Sequence, residues 1–118
     1  MINQFEIPAY LHTAIPEIDK DIKTGEQSNA FKLMHTLVEF TSDKVETGDM
    51  KTVSKCFTLA DKLYDRGNAI VRNAVNNVFV YSLSNILCRF PQQKKYLLSI
   101  LPMGIYTLYI HQLHHTGC

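Results

Sequence analysis

A chain of 118 residues supports one domain, 1–118, and no second core. Apolar residues at 46% and charged residues at 19%, with only 5 Gly and 4 Pro, exclude disorder along the whole chain and argue against a loop-rich all-β domain. Lys and Arg number 12 against 11 Asp and Glu, so the overall charge favours no nucleic-acid partner.

Residues 1–28 are the least regular. They hold no basic segment followed by an apolar run, so no secretory signal is expected. Asn3 is placed to cap a short helix through Tyr10-Leu11-His12, with Pro8 in its early turns. Ile15-Pro16-Glu17-Ile18-Asp19 starts another, with Pro16 near its first position. The segment 23–27 reads as loop.

Three turn signals follow: Ser28-Asn29, Gly48-Asp49 and Gly67-Asn68. Each pairs a turn residue with an Asx, whose side-chain oxygen accepts the free N–H groups of the next helix. Between them, 30–47 repeats apolar residues at Ala30, Met34, Leu37, Val38 and Val45, widened by Phe31, Leu33 and Phe40. The stretch 50–66 does so at Met50, Val53, Cys56, Phe57, Ala60, Leu63 and Tyr64. Turns this short make the two helices antiparallel neighbours.

A third helix spans 69–90. Ile70, Val71, Ala74, Val75 and Val78 share one side; Phe79, Val80, Leu83, Ile86, Leu87 and Phe90 lie roughly a third of a turn or more away. A buried side that shifts along the helix predicts different neighbours at its two ends. Phe90-Pro91 stops it. The last stretch, from Lys94, is broken at Pro102-Met103-Gly104, where Pro102 suits the first position of a new helix. From Tyr96 to Cys118 no charged side chain appears, yet the apolar run before His111 is 15 residues, too short to span a bilayer. No membrane is expected. The fold class is therefore all-α, an antiparallel stack or bundle of about five helices with HEAT-like pairs of about 39 residues. Leu37, Phe57, Val75, Val78, Leu83 and Ile86 are expected in its core.

Charge divides the chain unevenly. Residues 1–49 carry nine acids and four bases; residues 50–118 carry two acids and eight bases. The expectation is that acidic early helices face basic later ones inside the domain; a charged partner surface is the alternative. The three cysteines, Cys56, Cys88 and Cys118, are spaced 32 and 30 apart and fit no CxxC or zinc pattern. That spacing predicts a reduced, cytoplasmic setting, with Cys56 and Cys88 as small core residues.

Three tracts within 36–87 carry a resemblance: Val45-Glu46-Thr47-Gly48-Asp49, then Gly67 to Val75, then Val78 to Leu87. In these the chain resembles a family of small uncharacterised bacterial all-helical proteins. That family carries a Glu near the position of Ser84, which this chain lacks. The resemblance implies a helical-repeat-like fold and an immunity-type or adaptor role, with no catalytic residues.

No hydrolase or phosphate-loop motif is present, and no enzyme activity or cofactor is expected. Function is expected in binding a protein partner. Arg72, Asn73, Asn76 and Asn77 offer a polar helix face, and Tyr106 and Tyr109 offer aromatic anchors. A homodimer through 96–113 is expected, because a helix apolar on most sides needs more cover than one small domain gives. The alternative is a metal- or ligand-binding bundle using His111 and His115, which stand i, i+4 on one helix.

Overall fold

Asn3 opens the first helical turn. Its side chain accepts from the Phe5 N–H at 2.9 Å, and the Glu6 carboxylate accepts from the Asn3 N–H at 3.0 Å. In the computed structural model, which describes residues 1–23 and 25–116 with side chains as far as 112, this 3₁₀ turn leads into α1, Ile7–Ala14. A second 3₁₀ segment, Pro16–Asp21, follows. Ile2 also makes a two-sided backbone bridge to the later chain: its N–H donates to the Arg66 carbonyl at 2.7 Å and its carbonyl accepts from Asn68 at 2.8 Å.

The three Asx caps form as the sequence predicts. Asn29 accepts from the Lys32 N–H at 3.1 Å and starts α2, Ala30–Thr47. Asp49 accepts from the Thr52 N–H at 3.2 Å and from its hydroxyl at 2.8 Å, starting α3, Met50–Arg66. Asn68 accepts from the Val71 N–H at 3.0 Å and starts α4, Ala69–Ala74. The two glycines beside these caps act differently. Gly48 ends α2 at φ 80°, and the N–H groups of Gly48 and Asp49 return to the carbonyls of Val45 and Lys44. Gly67 has an ordinary φ of −78°. It is there for space, since a Cβ would stand 2.3 Å from the Leu63 carbonyl oxygen and 2.6 Å from Val71 Cγ1.

α4 runs on through a π-helical segment, Val75–Val80, into α5, Tyr81–Arg89. The π segment explains the shifted apolar side. Counting on from Val71, Ala74, Val75 and Val78, an unbroken α-helix would bury 82, 85 and 86. The chain buries Leu83, Ile86 and Leu87, one residue later, and leaves Asn85 exposed. The wider π turns absorb that extra residue. Arg89 meets Ser42 and Gln93 meets Val45, so this rod runs parallel to α2, with α3 returning between their ends. Its neighbours differ along its length: α4 packs on α2 and α3, the π segment on α2, α3 and α7 (Met103–Thr116), and α5 on α6 (Lys94–Ile100) and α7.

Pro102 stands just before α7, where its carbonyl accepts from the Tyr106 N–H at 2.9 Å. The architecture is all-α. Leu37, Phe57, Val75, Val78, Leu83 and Ile86 are all buried, and Phe57 meets Phe79 edge to face at 6.2 Å. Three apolar expectations fail: Phe31 and Ile70 are 43% and 47% exposed, and Cys88 is exposed. Each flanks a stripe whose centre is held by Met34, Val71 or Leu87. No ion pair joins the two charged halves among the described residues, although Glu39 and Asp43 of α2 face Arg89 of α5 across a groove. Among the described residues the ion pairs are His12–Asp19 and Lys44–Glu17, all within 1–49. No described helix is long and apolar enough to cross a membrane.

Candidate interaction surfaces

Burial of Val71, Ala74 and Val75 turns Arg72, Asn73 and Asn77 outward, and all three are exposed. The Arg72 guanidinium is engaged within the chain, lying 4.7 Å from the Tyr64 ring centroid. Asn76 departs from the expected partner face. The Gln112 amide donates to its side-chain oxygen at 2.7 Å and to its carbonyl at 2.9 Å, tying α7 to the π segment. Asn73 and Asn77 remain, one turn apart.

The C-terminal helices divide their aromatic residues. Leu97, Ile105 and Tyr109 face inward, and Tyr109 is only 2% exposed. Burial pushes its phenol pKa up. Tyr109 is therefore a core residue and not an anchor, because the side of α7 carrying Ile105 and Tyr109 packs on α3 and α5. Tyr106 lies off that side at 40% exposed, joined by Tyr96 at 52% and Met103 at 78%. Met103 and Tyr106 line a groove of about 370 Å³ with Leu98, Leu101, Ser99 and Lys95. The sequence signal for it was the break at Pro102-Met103-Gly104, which turns α7 against α6; Met103 itself was missed.

That break is built from α3. Gly104 has no Cβ, and one placed there would stand 2.6 Å from the Asp61 Oδ1. The bare backbone lets the carboxylate sit at the first turn of α7, where free N–H groups favour an anion. Burial, then the neighbouring Asp65, raise the Asp61 pKa, while the nearby Ile105 N–H opposes the rise.

A second groove, also about 370 Å³, runs between α2 and α5, with Glu39 and Asp43 on one wall and Asn85 and Arg89 on the other. Arg89 is steadied by Ser42 Oγ at 3.3 Å and by the Phe90 ring. The two histidines read as metal ligands are only partly placed. His111 is exposed, the side chain of His115 lies outside the described residues, and no cluster of metal ligands occurs among the described ones. Cys56 is fully buried, and burial pushes its thiol up to about 11, so it holds its proton.

No curated protein and no solved structure matches this chain. A family profile matches residues 8–115, well beyond the tracts between 36 and 87, and the chain belongs to that family, the domain of unknown function DUF7674.

Proposed function

We propose that this DUF7674 chain works by binding another protein, in an immunity-type or adaptor role, and that the α6–α7 face is where it docks. The observation that carries this is the exposed pair Met103 and Tyr106, which line one apolar groove, with Tyr96 also exposed on α6. Large aromatic and Met side chains held out of a core are what interfaces use as anchors. Lys95 lines the groove, and from Arg66 to residue 112 the chain has no carboxylate side chain. The partner segment that fits is therefore apolar at its centre and acidic at its edges.

Selection from a peptide library tests this. Enriched peptides should join Leu, Phe or Trp to Asp or Glu. They should bind the Met103→Glu, Tyr106→Glu double variant roughly tenfold or more weakly. Both side chains are exposed, so the variant should keep its helical content. Peptides that bind wild type and variant alike would remove this face from the function.

A second copy of the chain is the other occupant to weigh. Leu98, Ile100, Leu101, Leu108 and Ile110 are all only partly covered by the rest of the fold, which leaves apolar surface for a homodimer through 96–113.

A further inference from the structure

On the far side of α3 from its buried stripe lies a third concavity, between α1 and α3. It measures about 350 Å³, the low end of the range for small-ligand sites. Tyr10 and Ala14 of α1 give it apolar surface, and Leu59 of α3, only 4% exposed, closes its floor. Thr58 joins Thr13 and Ser54 as the serine and threonine hydroxyls on its walls. Lys55 and Lys62 stand two helical turns apart along it, about 10 Å. Lys62 Nζ lies 5.2 Å from the Tyr10 ring centroid, so this ammonium is held over the groove. No lining residue is a carboxylate, and neither lysine has an ion-pair partner among the described residues.

We infer that this groove binds a small amphipathic anion, a monocarboxylate with a medium-length apolar body. The body would lie on Tyr10, Ala14 and Leu59, and the carboxylate would sit between the two ammonium groups. The inference is independent of protein docking at α6–α7, because the two surfaces share no residue. The chemistry follows from what the walls offer. Apolar floor removes hydrocarbon from water. Two lysines supply charge and donors without the planar fork that a bidentate phosphate site uses. The absence of lining carboxylates disfavours a cation or a zwitterion.

Decanoate is the probe, titrated at low salt below its aggregation concentration and followed by amide NMR. Saturable shifts should centre on Tyr10, Thr58 and Leu59. The Lys55→Gln, Lys62→Gln variant should bind roughly tenfold or more weakly, and decanol should bind wild type comparably weakly. Thr58 is exposed, so Thr58→Trp should block the groove and leave the fold intact. Equal binding by the lysine variant, or shifts centred on Tyr96, Met103 and Tyr106, would overturn the proposal.

Discussion

At the level of single residues, Asp61 and Gly104 form a pair that neither position announces alone. Gly→Ala within a helix ordinarily stabilises by about 0.5–1 kcal/mol. At Gly104 the new methyl would displace the Asp61 carboxylate, so the gain should vanish. In an Asp61→Ala background it should return. A double-mutant cycle by urea unfolding checks this, and a coupling near zero would place the carboxylate elsewhere. The two carboxylates with shifted pKa also differ in sign with pH. The Thr52 hydroxyl and N–H hold Asp49 below its ordinary 3.8, so its contribution to stability is present above 3.8 and is lost as pH falls through the lowered value. Asp61 is raised, so the folded state holds its proton longer than the unfolded chain. Stability therefore declines as pH rises from 3.8 through the raised value. Asp61→Asn should remove that decline, and Asp49→Asn should remove the loss in acid, both read from denaturant midpoints across pH.

At the level of elements, the caps were legible and the π segment was half legible, for one physical reason. A cap is decided by neighbouring residues, so Asn29, Asp49 and Asn68 can be read directly, and Asn68→Ala should cost about 0.5–2 kcal/mol. The shifted stripe of 69–90 was visible as well, but periodicity cannot say whether a helix twists past new neighbours or takes up an extra residue. The structure does both. Deleting exposed Asn77 should leave Leu83, Ile86 and Leu87 in phase on an unbroken α-helix, so the protein should still melt cooperatively. Inserting an Ala after Asn77 should rotate α5 by about 100° and expose those three residues. The expected penalty exceeds that of Leu83→Ala alone, about 2–5 kcal/mol. If calorimetry finds the deletion as damaging as the insertion, the π segment is not taking up a surplus residue. What the sequence could not reveal lies between elements. α7 is apolar on most sides, so nothing local distinguishes Tyr109, which is buried, from Tyr106, which is exposed. The α1–α3 groove was missed because its walls come from chain segments about forty residues apart.

At the level of the whole molecule, segregated charge would set how copies of this chain meet. Ion pairs among the described residues stay within 1–49, so the basic surface from α3 onward is left facing outward. Two kinds of self-contact are then open to it, and salt separates them. A two-fold contact through 96–113 buries Met103 and Tyr106 and brings Lys94 and Lys95 toward their copies. Screening that repulsion strengthens the contact. A contact of the acidic surface of 1–49 on a basic neighbour gains from attraction and weakens in salt, and being head-to-tail it does not close as a two-fold dimer. Sedimentation equilibrium at about 0.01 M and about 1 M salt, with Debye lengths near 30 Å and 3 Å, reads the difference. We expect self-association to rise with salt and to vanish in Met103→Glu, Tyr106→Glu. Association that falls with salt and survives in that variant would move the interface off α6–α7, onto the charged faces of α2 and α3.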